Sequence, residues 1–190
     1  MTRSVRLLLC VVLTAGALLA AGCGEGGDPG PYGNVEGETE ATYLELGGLK
    51  YQIQVSRQLN PNDTEDRAFL QGVPPQSSLR RGQVFFGVFL RVENDEEEAH
   101  QPSGEFVIED TQEQVFRPVP LGPENPFRYV PLPLQPGGLI PVPDSPAWHT
   151  PVQGALILFR IEQTALENRP LEFIVESPVG TNTVSVSLDV

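Results

Sequence analysis

From residue 41 onward apolar and polar positions alternate with a period of two, the pattern of strands half-buried against a core. Tyr51, Ile53 and Val55 alternate with Gln52, Gln54 and Ser56. In the strongest strand Val84, Phe86, Val88, Leu90 and Val92 form one face, and Phe85, Gly87, Phe89, Arg91 and Glu93 form the other. The pattern returns at Ala155, Ile157, Phe159 and Ile161, at Leu171, Phe173 and Val175, and at Val184, Val186 and Leu188. Shorter strands are predicted at Thr42 to Leu46, Phe106 to Glu109 and Gln114 to Val119.

Turn chemistry separates these runs at Gly47-Gly48, Asn60-Pro61-Asn62-Asp63, Arg81-Gly82, Asn94-Asp95 and Pro178 through Asn182. Short sequential strands without amphipathic helices between them predict an all-β antiparallel β-sandwich over residues 41–190, the alternating faces turned inward. One helical turn with a capping box is predicted at Thr164-Ala165-Leu166-Glu167, stopped by Pro170. Eleven of the 19 prolines fall between Pro118 and Pro151. A central strand excludes that density, because each proline removes a ladder donor. The stretch also carries Val119, Leu121, Phe127, Tyr129, Leu132, Leu134, Leu139, Ile140 and Val142. An extended crossover lying on Phe85 and Phe89 is therefore expected.

The N-terminus follows a different pattern. Arg3 and Arg6 precede an uncharged run from Leu7 to Gly22, 16 residues long. A membrane-crossing helix needs about 20. Residues 1–22 therefore read as a secretory signal. Its end, Leu19-Ala20-Ala21-Gly22-Cys23, resembles the lipobox of bacterial lipoproteins, although Ala20 stands where that family most often has leucine. The resemblance implies a diacylglyceryl group on the Cys23 thiol, with Cys23 as the mature N-terminus. Two acyl chains suffice for stable attachment, at about 0.8 kcal/mol per buried methylene. Cys10 leaves with the signal, so no disulfide is available inside the mature domain. About 150 residues still bury close to 70% of their unfolded surface.

Without Arg3 and Arg6, ten basic residues face 25 acidic ones, a mature charge of −15. Such a surface disfavours nucleic acid and anionic headgroups. Residues 23–40 combine the lipidated cysteine with a Gly/Glu-rich flexible linker, whose 17 residues after Cys23 span roughly 20–25 Å.

Four segments carry a wider resemblance: Val84-Phe85-Phe86-Gly87-Val88-Phe89-Leu90; Phe106, Ile108, Asp110 and Thr111; Asn125-Pro126-Phe127 with Tyr129; and Gly154-Ala155-Leu156-Ile157-Leu158-Phe159-Arg160. Together they resemble uncharacterised actinobacterial lipoproteins. The mature part of those proteins is similar to a telokin-like, immunoglobulin-like extracellular domain, also seen in a mycobacterial immunoprotective secreted protein. The resemblance covers most of residues 41–190 and implies fold and location, not an activity.

Chemistry-bearing residues are sparse. His100 and His149 are the two imidazoles, both expected in loops, and no G-x-S-x-G elbow occurs. The His and Cys spacings of a zinc site are absent, as is a phosphate-binding glycine loop, so neither metal nor cofactor is expected. The acidic runs Asn94-Asp95-Glu96-Glu97-Glu98 and Asn62-Asp63-Thr64-Glu65-Asp66 lack EF-hand spacing and read as solvated turns. Glu93, Glu162 and Glu172 are expected in cross-strand ion pairs with Arg91 and Arg160. Phe127, Tyr129 and Trp148 could line a contact surface for an envelope protein or glycan, or close one side of the sandwich; burial is the expectation.

The chain is thus expected at the outer face of the cell membrane, held by its lipid, as a non-enzymatic interaction module. The alternatives are a cell-wall-directed hydrolase with an unrecognised carboxylate pair, and a solute-binding lipoprotein, for which the domain is small. A calorimetric titration with calcium to millimolar concentration should give no binding heat; a saturable exotherm would show that an acidic turn is a cation site.

Overall fold

The structure, a computed structural model, describes residues 35–37 and 40–189. The signal over 1–22, Cys23 and most of the linker lie outside the described residues. Ten strands build two layers. One sheet has the order β1 (Val35–Gly37), β10 (Thr183–Leu188), β9 (Leu171–Glu176), β5 (Phe106–Glu109), β6 (Val115–Phe116). The other runs β2 (Tyr43–Leu46), β3 (Leu49–Leu59), β4 (Gln83–Glu93), and the far side of β4 is shared by β7 (Leu139–Ile140) and β8 (Ala155–Glu162). This is the two-sheet sandwich that the alternation predicts. Among the described residues the pairings between named strands are antiparallel except β1 with β10, which is parallel.

The inner faces are those read from the sequence except in β3, where a register shift between Ile53 and Val55 turns Val55 from the expected inward face to the outer cluster and buries Ser56 instead. Val84, Phe86, Val88, Leu90 and Val92 meet Ile157, Phe159 and Ile161 of β8 and, across the layers, Phe106, Ile108, Phe173, Val175, Val184 and Val186. Phe173 is central to this packing. Its ring stacks on Phe106 at 5.6 Å and takes Phe159 edge-on at 6.2 Å. On β9 and β10 buried and half-buried residues alternate strictly, so this sheet has one dry and one wet face.

In the opposite sheet β4 and β8 are buried on both faces over most of their length, whereas β2 keeps one exposed face. Phe85 and Phe89 on the outer side of β4 join Leu59, Leu156 and Leu158 in a second buried cluster. It is covered by two segments. The crossover brings Val119, Leu121 and Phe127, as expected, and Val152 just beyond it adds to them; the β3–β4 connection brings Phe69, Leu70, Val73 and Leu79. The second cover, with its single helical turn α1 (Asp66–Phe69) and a 3-10 turn at Pro75–Ser77, was not legible as structure in the sequence.

Two glycine features fix the geometry. Gly47 and Gly48, at φ +62° and +76°, form the two-residue turn between β2 and β3, where L side chains would be strained. Gly154 enters β8 so close to β4 that a Cβ there would lie 2.8 Å from Phe89 Cβ. The turn predicted at Thr164–Glu167 is a 3-10 helix over Gln163–Glu167, and no side-chain cap closes it, so the capping box is not made. Pro170 follows through a cis peptide bond with Arg169.

β1 falls in the stretch read as linker. Beyond it Glu40 accepts hydrogen bonds from the Ser56 hydroxyl, from Ser56 N–H at 3.2 Å and from Asp189 N–H at 3.2 Å. Burial raises the Glu40 pKa above the usual carboxylate value, against the opposing pull of these donors. The folded state therefore holds this proton more tightly, so the contribution of Glu40 is present at low pH and is lost as pH rises through its folded pKa.

Phe173→Ala should lower unfolding free energy by about 3–5 kcal/mol, whereas Ile174→Ala on the wet face of the same strand should cost well under half of that. Urea unfolding of the two variants checks the contrast; equal losses would contradict the assignment of faces.

Candidate functional site: the proline-rich crossover and its cleft

Prolines cannot pair along a sheet, so the crossover is bound by the few N–H groups between them and by side chains. Val119 N–H donates to Leu158 O at 2.6 Å, Tyr129 N–H to Leu156 O at 2.9 Å, and Leu156 N–H to Phe127 O at 2.7 Å. Asn125, fully buried, acts as a clamp. Its Nδ2 donates to Phe69 O at 2.7 Å and Gln71 O at 2.8 Å, while its Oδ1 accepts from Phe127 N–H at 2.9 Å. One side chain thereby joins the two covers of the outer face.

The three aromatic residues do not converge on one surface. Phe127 lies 4.8 Å from Phe69 in the outer cluster. Tyr129 packs edge-on against Phe106 at 5.1 Å, at the border of the inner core. Trp148 stands apart, half-buried, with the Arg91 guanidinium 5.4 Å from its ring. Tyr129 has a further role that sequence alone does not signal. Its hydroxyl donates to Ser103 O at 2.8 Å, and Ser103 N–H donates to the Tyr51 hydroxyl at 2.9 Å. Burial raises the pKa of both phenols; at Tyr51 the Ser103 N–H opposes the rise, and at Tyr129 the charge of ionised Tyr51 would add to it.

Between crossover and β8 lies a pit of about 230 Å³. Its walls include Pro118, Pro120, Pro131, Phe106 and Tyr129, and Arg128 stands among them. Arg128 donates one N–H to Pro123 O at 2.9 Å.

The acidic turns are held by internal hydrogen bonds. Asn94 Nδ2 donates to Glu98 O and Leu134 O, each at 2.8 Å, and Asp95 pairs with Lys50 at 2.6 Å. In the other turn Asp63 Oδ1 accepts from Glu65 and Asp66 N–H, which lowers its pKa, and buried Asp66 pairs with Arg57 at 2.5 Å. Among the described residues no three His, Cys, Asp or Glu side chains group as a metal site. His100 pairs through its backbone with Leu134, and exposed His149 lies 3.8 Å from Asp144.

The expected cross-strand ion pairs are not what the outer faces use. Arg91 pairs with Glu93 two residues along its own strand, at 2.5 Å, and its guanidinium lies 5.4 Å from the Trp148 ring. Arg160 instead donates to the carbonyls of Gln76 and Ser78 at 3.3 Å, tying down the β3–β4 connection. Glu162 accepts from Gln83 and Glu172 from Ser187.

No family model and no curated protein sequence matches the chain. Solved structures align over 80% of it at low identity. The yjhA protein of Bacillus subtilis aligns over 99% of its own length at 10% identity with a TM-score of 0.45. An uncharacterized beta-sandwich protein of Clostridium difficile 630 aligns over 94% at 7% identity, TM-score 0.42. A candidate lipoprotein, ycdA, of Bacillus subtilis aligns over 39% of its chain at 10% identity, TM-score 0.47. The sandwich assignment stands on the strand pairings themselves.

Removal of the two differently placed aromatics should separate them: Phe127→Ala is expected to cost about 3 kcal/mol or more, and Trp148→Ala less than about 2, since Phe127 packs against the outer cluster and Trp148 belongs to neither cluster. Thermal unfolding of both variants tests the order, and a larger loss for Trp148→Ala would reverse it.

Proposed function

We propose that the protein is an extracytoplasmic lipoprotein in which a diacylglyceryl group on Cys23 holds the β-sandwich at the outer face of the cell membrane, as a non-enzymatic interaction module of the envelope. The observation that carries this is the sequence Leu19-Ala20-Ala21-Gly22-Cys23 closing a basic and then apolar N-terminus. The path of the chain supports it. β1 enters beside Val184, at the pole of the β9–β10 turn, and runs parallel to β10. The β3–β4 connection over residues 60–82 and Asp189, just after β10, belong to the opposite pole, where Glu40 secures the entering segment. A lipid attached upstream would therefore draw the β9–β10 pole toward the bilayer and leave the other pole and the flanks free for an envelope protein or glycan. Among the described residues no helix is long and apolar enough to cross a membrane. The finer kinship with actinobacterial lipoproteins bearing telokin-like domains belongs to this same proposal.

Cys23→Ala tests the anchor. Wild-type protein is expected in the detergent phase of a cloud-point partition, with a diacylglyceryl mass on an N-terminal Cys23, and the variant in the aqueous phase. A variant that remains in the detergent phase, or native material with an unmodified Cys23, would contradict the proposal.

A further inference from the structure

The outward edge of β8 is closed by two pieces of the crossover that approach it in opposite senses. Arg128 pairs parallel with Leu156, and Pro118 pairs antiparallel with Phe159. Leu158 lies between these two pairings. Its carbonyl turns away from β4 to accept from Val119 N–H. In an extended strand the N–H and C=O of one residue point to the same side, so Leu158 N–H also faces the crossover. It falls in the seam between the two pieces and has no partner among the described residues. Leu158 is only 1% exposed, and a buried N–H left unpaired is destabilising. Leu158 lines the pit, and the pit is the open space from which an acceptor would reach this N–H.

The walls say which acceptor. In a chain with 25 acidic and 12 basic residues, the lining of this pit contains no carboxylate, and its one ionic group is Arg128. Its guanidinium donates one N–H to Pro123 O and has no other partner among the described residues. The remaining walls are proline rings, Phe106, Tyr129 and Leu121. We propose that the pit binds a carboxylate carried on a small apolar body, its oxygens taking the Leu158 N–H and the Arg128 guanidinium and its apolar part lying between the prolines and Tyr129. Toward a carboxylate, a guanidinium and a backbone N–H both make charge-assisted hydrogen bonds, the guanidinium at the open side of the pit. A volume near 230 Å³ fits a few residues of peptide or a short acid. The chemistry is shared by the free carboxyl end of a peptide and by a short-chain carboxylic acid. The site gives the interaction module a ligand class without depending on the lipid.

The test is amide NMR of the full chain in phospholipid nanodiscs, titrated in separate arms with N-acetyl-trialanine, its C-terminal amide, and butanoate. The Leu158 amide resonance should move downfield with at least one carboxylate, the amide should bind at least tenfold more weakly than its parent, and the responding arm names the source. Arg128→Gln should weaken the carboxylate at least tenfold, and Cys23→Ala should leave it unchanged, which separates this site from the anchor. If Arg128→Gln perturbs its loop, the Leu158 shift and the acid-to-amide ratio in the wild type decide alone. An unmoved Leu158 resonance in every arm at millimolar ligand, or equal binding of acid and amide, would overturn the proposal and leave an ordered water as the acceptor.

Discussion

The double burial of β4 is the constraint on which the rest of this structure depends. A strand whose two faces carry Phe86, Val88 and Leu90 on one side and Phe85 and Phe89 on the other cannot sit at the surface of a two-layer sandwich unless something covers it. Burying an aromatic or aliphatic side chain of this kind contributes about 1.5–3 kcal/mol. Exposing two phenylalanines and their neighbours would forfeit a large share of the stability of a domain this size. The crossover and the β3–β4 connection are therefore a third, irregular layer of the fold. Their composition suits a covering layer, since prolines limit the entropy lost on ordering and the apolar residues between them supply the contact.

That third layer explains the polar architecture of the cleft side. Irregular chain buried against a sheet must still satisfy its backbone groups, and it does so through Asn125, which clamps both covers, and through the Tyr129–Ser103–Tyr51 relay, which ties the crossover to the start of β5 and to β3. Because two separate pieces of crossover seal the edge of β8, the seal has a seam. The pit at Leu158 is a consequence of how the outer face is covered, and one backbone N–H is left without a partner there among the described residues.

The strands were legible because half-buried sheets impose a period of two that few other arrangements imitate. β9 and β10 display it without interruption, and β5 was found to the residue. The crossover was legible as a cover because its prolines forbid a central strand while its apolar residues forbid exposure. The β3–β4 connection was not, since Phe69, Leu70, Val73 and Leu79 are spaced with neither helical nor strand period and find their place only through Arg160 and Asn125, distant in sequence. The parallel pairing of β1 was hidden by the glycines and glutamates around it, whose composition speaks for a linker. The pit was illegible altogether, because it depends on two approaches of the crossover to one strand edge, a property of topology that no local pattern encodes.

Native-state hydrogen exchange of the full chain addresses the central claim directly. If the crossover is a layer of the fold, the amides of Val119 and Tyr129, which bond to β8, will exchange at the same free energy as the β4 amides, through global unfolding alone. Exchange of Val119 and Tyr129 through a low-energy opening, while β4 stays protected, would show that the sandwich holds without its cover and would contradict the account.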